Sequence, residues 1–340
     1  MFTMYFLPYT LIVLGLVDGL LLLPMVLTMS VGLAGIGLAV MHDANHGAYS
    51  KRAWVNAVIG YSLNLVGANA FNWKMQHNIL HHTYTNVYEH DEDIVSRGVI
   101  RMSPQAPWKR MYKYQYIYAW FLYGLMTLVW MFYKDFARLI KYNRDGLIKK
   151  YHANIYKEWL ILIVTKVIYV GYIFIIPVML TSIPWPLIVL GIVIMHYIAG
   201  FTLAIIFQPA HVNDVAEFPE PDDTNKLANN WAIHQLLTTT NFGHNTLFSW
   251  YVGGLNYQIE HHLFPNVCHV HYRKIASIVK ATALEYGLPY KSSSTFLQAL
   301  KAHAHLLEML GRKPDKFASI KDGAFIHRKD AKERKVPQRA

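Results

Sequence analysis

Three long apolar stretches constrain this chain more than any other feature of its sequence. Residues 5–41, 159–180 and 185–207 are almost free of charge, and the first is too long for one helical crossing of about 30 Å of hydrocarbon. Charged residues make up 16% of the chain and hydrophobic residues 54%, which excludes a disordered, a collagen-like or a small disulfide-stabilised protein. The single cysteine, Cys268, cannot form an internal disulfide. We therefore predict an integral membrane protein.

The predicted fold is all-α, with four transmembrane helices in two hairpins. The first apolar stretch forms two spans, and Gly and Pro residues place its turn between Asp18 and Pro24. The other two stretches form the second hairpin, because only residues 181–184 separate them. Residues 116–132 are rich in Tyr, Trp and Phe, which favour the headgroup region, so an interfacial helix is predicted there. An amphipathic helix is predicted at residues 296–310.

The basic residues set the predicted orientation in the membrane. A net charge of +11 would indicate nucleic acid as a partner in a soluble protein, but in a membrane protein basic residues mark the cytosolic side, so no nucleic acid is predicted. Both termini and a helical cap are placed on that side. Lys166 is the one basic residue inside a predicted span, where we expect a polar partner within the bundle. Residues 1–311 are predicted to form one domain and residues 312–340 a flexible basic tail.

Histidine carries most of the functional argument, because the chain has 18 of them and many cluster near predicted span ends. Imidazoles at positions i and i+4 of a helix share a face and can bind one metal ion. A single pair at this spacing, or a single histidine at a helix end, could equally well be a packed structural residue and not a metal ligand. Three histidines within residues 77–82 are hard to explain that way, because a buried imidazole needs a partner for each nitrogen. The predicted ligands are His42, His46, His77, His81, His82, His211, His261 and His262, with Gln258 as an additional ligand, directly or through water.

The number and type of these ligands limit the metal. Eight imidazoles are too many for one ion with an open position and about right for two, so the cap is predicted to hold a two-metal site. Nitrogen ligands exclude Mg and Ca and leave Zn, Fe, Cu or Ni. Zinc activates water with only three protein ligands, whereas a pair of irons can share two redox equivalents with dioxygen. A two-metal centre beside spans that can enclose an acyl chain suggests oxidation of an unactivated methylene.

Three of the clusters resemble the histidine boxes of the membrane fatty-acid desaturase family: His42-x-x-x-His46, His77-x-x-x-His81-His82 and Gln258-x-x-His261-His262. The glutamine of the third box is similar to that of the front-end, linoleoyl-CoA desaturase-like branch. Residues 41–50, 77–94 and 256–273 are particularly similar to bacterial members, which implies a bacterial inner membrane.

The resemblance implies a function as well as a fold. Two Fe ions held by these histidines, with dioxygen as co-substrate, remove two hydrogens from neighbouring carbons and leave a cis double bond in a fatty-acyl chain of an acyl-CoA or acyl-lipid. The family relies on the metal centre for its chemistry and on a narrow apolar channel for selectivity. This sequence has no His-Pro-Gly-Gly haem motif, so the electrons are expected from a separate donor: a ferredoxin, a flavodoxin or cytochrome b5.

Further residues near the clusters are predicted to support the ligands or to line the substrate channel, although packing, solvation or interfacial anchoring explains each of them as well. These residues are Trp73, Asn86, Asp91, Asp93, Trp231, His234, Gln235, Thr238, Asn241 and Tyr257. His244, His269 and His271 are interpreted as non-ligands. His303, His305 and His327 are interpreted as surface residues.

Other functions fit parts of the same pattern. A hydroxylase or ketolase acting on a lipid, carotenoid or alkane could use the same scaffold, and it would add oxygen instead of a double bond. A zinc-dependent membrane hydrolase would act without oxygen. A metal transporter or lipid sensor should have polar residues throughout its spans, whereas only His196 lies well inside one here.

Overall fold

The computed structural model describes residues 1–95, 98–243 and 245–314, and these residues are mostly helical. Two short strands, β1 (Asn241–Phe242) and β2 (Ser292–Ser293), pair in parallel. In chain order the helices are α1 (Phe2–Val13), α2 (Gly19–Asn45), α3 (Ala53–Gly60), α4 (Ser62–Leu65), α5 (Ala70–Lys74), α6 (His82–Tyr84), α7 (Arg110–Gly124), α8 (Met126–Arg144), α9 (Leu147–Lys150), α10 (Ile155–Leu180), α11 (Trp185–His211), α12 (Trp231–Thr238), α13 (Thr246–Tyr251), α14 (Gln258–Leu263), α15 (Tyr272–Glu285) and α16 (Phe296–Gly311). A π-helical segment, Met75–His81, joins α5 to α6.

Within the described residues, three helices are long and apolar enough to cross a membrane: α2, α10 and α11. The pair α7 and α8 passes the same test together but is bent by 60°, so the count is three or up to four. The predicted interfacial segment, residues 116–132, falls inside this bent pair. At 12 residues, α1 is about 18 Å long, which is shorter than the hydrocarbon core. The four-span arrangement in two hairpins therefore stays a prediction.

The first turn lies earlier in the chain than the sequence indicated. The helical hydrogen bonding of α1 ends at Val13, and the next helix begins at Gly19, so the chain turns at residues 14–18. Gly15, with φ +67°, supplies a left-handed position in that turn. Pro24 lies in the first turn of the following α-helix, Leu22–Gly35, where a backbone N–H has no intrahelical acceptor and its absence is tolerated.

The candidate membrane-spanning helices expose large apolar side chains on one side and pack closely against other helices on the other side. At the bend between α7 and α8, a Cβ on Gly200 of α11 would lie 2.8 Å from the carbonyl oxygen of Gly124, so only glycine permits this helix contact. Large apolar side chains remain exposed along the spans, as expected for a bilayer-facing surface. Examples are Leu20, Leu160, Val167, Leu187 and Leu190.

Lys166 has the polar partner that the sequence led us to expect. Its Nζ lies 2.7 Å from Asp135 Oδ2, and both side chains are at most 10% exposed. The same ammonium donates to the carbonyl oxygen of Gly67 at 2.6 Å. A charge inside an apolar bundle is tolerated when it is paired and hydrogen-bonded in this way.

Helices α12 to α16 follow α11 in the chain; α14 places His261 beside His42 near the end of α2, and α16 packs against α7 and α11. The predicted amphipathic helix is observed as α16, and its buried face includes Ala299, Leu306 and Leu310. The interpretation of His303 as a surface residue was wrong, because this spacing places it on the same face, where it is fully buried. Its Nδ1 donates to the carbonyl oxygen of Val212 at 2.6 Å, and its Nε2 faces the Tyr123 hydroxyl at 2.7 Å.

The neighbouring His305 is exposed, as predicted, and lies 3.0 Å from Asp214. His244, His327 and residues 315–340 of the predicted basic tail lie outside the described residues.

Candidate metal centre

Buried histidines from four parts of the chain converge where α2 and α11 end. Each of them is at most 8% exposed, although imidazole is usually only partly buried in proteins. They are His42 at the end of α2 and His46 just after it, His77 and His81 in the π-helical segment, His82 at the start of α6, His211 at the end of α11, and His261 and His262 in α14.

The imidazoles divide into two adjoining groups. In the first, one ring nitrogen from each member lies within 4.8 Å of the others; it consists of His42, His46, His77 and His261. The second, by the same criterion, consists of His81, His211 and His262. His82 forms a further group with His261 and His262, so it lies between the two. All eight predicted histidines are thus brought together.

The nitrogen contacts fit a pair of cations. His42 Nε2 lies 3.2 Å from His77 Nε2, and His82 Nε2 lies 3.1 Å from His261 Nε2. Among the described residues, the buried Nε2 of His46 has no hydrogen-bond partner at all. A metal ion beside these nitrogens would accept their lone pairs and would give the buried Nε2 of His46 the partner that it lacks.

Neighbouring groups hold several of the rings in one orientation. When Nδ1 donates a hydrogen bond outward, Nε2 keeps its lone pair for the centre of the cluster. Four such contacts are present: His81 to Asp91 at 3.0 Å, His211 to the carbonyl oxygen of Thr238 at 3.3 Å, His261 to the Tyr272 hydroxyl at 3.2 Å, and His262 to Gln235 Oε1 at 2.8 Å.

The loop after the second histidine cluster supplies two carboxylates. Asp91 Oδ1 and Oδ2 both lie 3.0 Å from His81 Nδ1, and Asp93 Oδ2 lies 3.6 Å from Nδ1 of both His77 and His81. Asn86, at φ +59°, turns the chain so that its backbone N–H donates to Asp91 Oδ2 at 2.9 Å. The loop is therefore held against the ligands instead of being solvated.

Burial and these carboxylates move the histidine pKa values in opposite directions. Burial lowers the pKa of His77 to about 3, although Asp93 opposes the shift. Burial also lowers the pKa of His81, but Asp91 and Asp93 outweigh it and raise the value to about 9, so metal binding at His81 Nε2 would displace a proton. Burial and neighbouring imidazoles hold four other pKa values well below the ordinary range, which favours the neutral form that binds metal. These four are His46, His82, His261 and His262.

The π-helical segment explains how the second cluster is displayed. Trp73, His77 and His81 follow one another at intervals of four residues and form a stack, with ring centroids 4.5 Å and 5.2 Å apart. π-Helical turns are uncommon and often occur at functional sites. Trp73, predicted to line a channel, thus contacts the candidate ligands directly.

Helix α12 packs against the eight-histidine site with the face that contains the predicted residues Trp231, Gln235 and Thr238. Trp231 Nε1 and Gln235 Nε2 each donate to the carbonyl oxygen of His82 at 3.1 Å. The Thr238 carbonyl accepts from a candidate ligand, as described above. His234 is buried on the same helix, and its Nε2 has no hydrogen-bond partner within the described residues. Gln235 contacts the second and the third histidine cluster at once. Its helical spacing predicted which face it occupies but not these two contacts.

Three predicted site residues near the third histidine cluster are all buried, but they differ in their hydrogen-bond partners: Asn241, Tyr257 and Gln258. Asn241 supports α14 from outside, because its Nδ2 donates to Glu260 Oε2 at 2.7 Å and its Oδ1 accepts from the backbone N–H of Ile259 at 2.9 Å. Tyr257 is buried just before the helix. Gln258 is also buried, but its Nε2 has no hydrogen-bond partner in the described part of the chain, and it stays a predicted ligand.

Sequence reasoning missed one contact at the first cluster. Asp43 Oδ2 accepts from His269 Nδ1 at 2.7 Å and from the His269 backbone N–H at 3.2 Å. His269 lies outside the eight-histidine cluster and forms a separate group with Asp43 and Cys268, so its interpretation as a non-ligand stays a prediction. Its contact with Asp43 joins α2 to the segment that follows α14. The two residues are more than two hundred positions apart, so no local spacing could have revealed the pair.

An apolar cleft begins beside the histidines and runs into the bundle. The Phe207 ring centroid lies 6.1 Å from that of His42 and 6.2 Å from that of His77. The free volume is about 20 Å³, so an occupant requires the walls to move. The lining residues are Leu33, Gly37, Met41, Leu63, Val66, Gly67, Ala68, Trp73, Thr127, Trp130, Leu203 and Phe207.

Fold and site together define a membrane protein with two adjoining groups of histidines that could hold metal ions beside an apolar cleft. Residues 19–294 match the family described as fatty acid desaturase, and the chain belongs to this family. It is therefore an oxidoreductase, and the resemblance drawn from the histidine motifs is confirmed.

The relatives agree with the front-end acyl-lipid branch. The chain is 38% identical over 294 residues to the sn-1 linoleoyl-lipid 6-desaturase of Synechocystis sp., covering 84% of this chain and 79% of the relative. It is 36% identical over 290 residues to the enzyme of the same name from Arthrospira platensis, covering 84% and 76%. It is 39% identical over 277 residues to the acyl-lipid (8-3)-desaturase of Physcomitrium patens, covering 80% of this chain and 57% of that protein.

Proposed function

We propose that this protein is an oxygen-dependent acyl-lipid desaturase that introduces a cis double bond into a fatty-acyl chain at a di-iron centre. The observation that carries the proposal is the convergence of eight buried imidazoles in adjoining groups at the mouth of an apolar cleft. The names of the cyanobacterial relatives favour a lipid-linked, already unsaturated chain such as linoleoyl, with position 6 as the first position to test.

The reaction balances with one dioxygen per double bond. Two neighbouring CH₂ groups each lose one hydrogen, and O₂ with two electrons and two protons becomes two waters. Bound iron would supply the oxygen activation that removes hydrogen from an unactivated methylene. The first group of histidines and the second would each hold one ion, with His82 between them and Gln258 nearby.

The protein's own side chains bind, orient and exclude water. Asp91 and Gln235 hold imidazole rings in the tautomer that leaves Nε2 free for metal. Trp73 and Phe207, whose ring centroids lie 4.5 Å and 6.2 Å from that of His77, form the part of the cleft wall nearest the histidines. An acyl chain lying in the cleft would present one pair of carbons to the centre, so position along the cleft selects the bond.

The electron donor is proposed to be a separate protein, a ferredoxin, flavodoxin or cytochrome b5, acting on the cytosolic side. The metal centre and both termini are placed on that side because the loops there are basic. A basic surface is electrostatically complementary to an acidic redox protein.

The test is expression in a heterologous host that is fed linoleic acid with and without oxygen. We expect a new double bond, located by mass spectrometry of the lipid-derived fatty acids, in aerobic cells alone. His81→Ala and His262→Ala should reduce the product to background while the protein still inserts, and His305→Ala should retain activity. Added oxygen in the product would instead indicate a hydroxylase or ketolase, and hydrolysis without oxygen would indicate a zinc hydrolase.

A further inference from the structure

The Lys166–Asp135 ion pair is a part of the bundle that the proposed reaction does not use. It joins α10, a candidate membrane-spanning helix, to α8, which is half of the bent helix pair, with Nζ and Oδ2 2.7 Å apart. A buried ion pair is seldom needed for stability, because apolar residues of similar volume serve as well or better. Its presence inside an apolar bundle therefore calls for a second role.

The contacts of the Lys166 ammonium point to the cleft. Besides Asp135, Nζ donates to the carbonyl oxygen of Gly67 at 2.6 Å and lies 3.4 Å from the carbonyl oxygen of Trp130. Gly67 and Trp130 both line the apolar cleft, on segments from different parts of the chain. One ammonium thus contacts the backbone of two separate segments that line the cleft.

The backbone of Asp135 is bound to a second segment beside the same cleft. The backbone oxygen of Asp135 accepts from Asn72 Nδ2 at 2.8 Å. Asn72 precedes Trp73, which lines the cleft beside the histidines. The residue at the acidic end of the pair is therefore also held, through its backbone, next to the cleft wall near the metal centre.

Gly67 has little freedom to adapt if the ion pair is changed. Its φ is +89°, and a Cβ there would lie 2.8 Å from the Tyr169 ring. The Tyr169 hydroxyl in turn contacts His196 Nε2 at 2.5 Å, and the carbonyl of His196 accepts from Thr127, another cleft residue. His196 lies fifteen residues before His211 on α11, about 22 Å along the helix, whereas the α11 residues that line the cleft are Leu203 and Phe207.

From these contacts we infer that the Lys166–Asp135 pair is a positioning element that fixes the width and depth of the apolar cleft and so selects the length of the acyl chain that fits. The inference rests on the proposed function, because the cleft is taken to hold the acyl chain. The pair touches neither the metal ligands nor the space of the cleft itself, so it acts through the backbone of Gly67 and Trp130.

The experiment compares product ratios from a homologous series of fatty acids that differ by two methylenes. In the double variant Lys166→Met/Asp135→Leu, apolar side chains replace the pair. In Asp135→Glu the pair is kept but lengthened by one methylene. We expect each variant to change the ratio of long-chain to short-chain product by about tenfold, which is the discrimination carried by a methylene in a fitted apolar pocket. Iron per chain should stay at the wild-type value.

Lys157→Met, which removes an exposed lysine from the same helix α10, is the matched control and should leave the ratio unchanged. Unchanged ratios in the variants that insert and hold iron would overturn the inference, and so would loss of iron, because the pair would then act on the metal centre. If the double variant does not accumulate in membranes, the product ratio of Asp135→Glu alone tests the inference. Absence of product from the wild type itself would count against the proposed function, so the two failures are distinguishable.

Discussion

At the scale of single residues, the site depends on how each imidazole is held. Asp91 is fully buried, accepts from His81 Nδ1, and also accepts from the backbone N–H groups of Asn86 and Asp93 at 2.9 Å. It therefore fixes a ring and a loop together. Replacing a residue that hydrogen-bonds to a metal ligand typically lowers the metal affinity by about 10- to 100-fold.

We predict that Asp91→Asn lowers metal affinity by about 10- to 100-fold, because the amide is a poorer acceptor for the His81 Nδ1–H and leaves a polar group imperfectly paired. The measurement is iron per chain after dialysis against graded concentrations of a chelator. Asp223→Asn, on the exposed acidic loop, is the control. Equal iron retention by the two variants would show that the carboxylate does not support the ligand.

At the scale of elements, α12 connects the second and third histidine clusters. Gln235 faces both at once, because its Oε1 accepts from His262 Nδ1 and its Nε2 donates to the carbonyl oxygen of His82. Asn230 caps the N-terminus of α12, because its side chain accepts from the backbone N–H of Ile233, and this cap fixes where the helical face that reaches the clusters starts.

We expect Gln235→Leu to reduce activity and iron content together while the protein still inserts. The substitution keeps the approximate volume but leaves the His262 Nδ1–H and the His82 carbonyl without this partner. Activity per chain and iron per chain in purified protein are the two readouts. Gln298→Leu, an exposed position on α16, provides the comparison and should change neither. Full iron with full activity in Gln235→Leu would contradict the bridging role.

At the scale of the whole molecule, the metal centre joins parts of the chain that are far apart in sequence. His82 and His261, with their Nε2 atoms 3.1 Å apart, are separated by 179 positions. Metal bound there would stabilise the folded protein by mass action, at about 2.7 kcal/mol for a free metal concentration of 100 Kd.

Removal of metal should therefore lower the Tm of the detergent-solubilised protein as well as its activity. We expect iron(II) to restore both, whereas zinc should restore Tm alone, because imidazole sites accept zinc but zinc has no redox chemistry. Thermal unfolding and desaturation are measured on the same samples. An unchanged Tm after complete removal of metal would show that the histidine groups do not hold it in the folded state.

Much of the class and chemistry could be predicted from local pattern. The apolar stretches predicted membrane helices at α10 and α11, and four-residue spacings predicted shared faces for His42 with His46 and for His77 with His81. These properties depend on hydropathy and on helix geometry within a few residues. The exact turn after α1 was not predictable, because Gly15 and Gly19 both offer a break within the apolar stretch.

What only the tertiary structure decided is which distant groups meet. The division of the imidazoles into two groups, the Asp43–His269 contact and the buried position of His303 all depend on packing between segments far apart in the chain. The sequence by itself determined a membrane protein rich in clustered imidazoles, because composition and helical periodicity are local. Long-range contacts depend on how the helices pack against one another, and the spacing of residues along the sequence does not give the distances between remote helices.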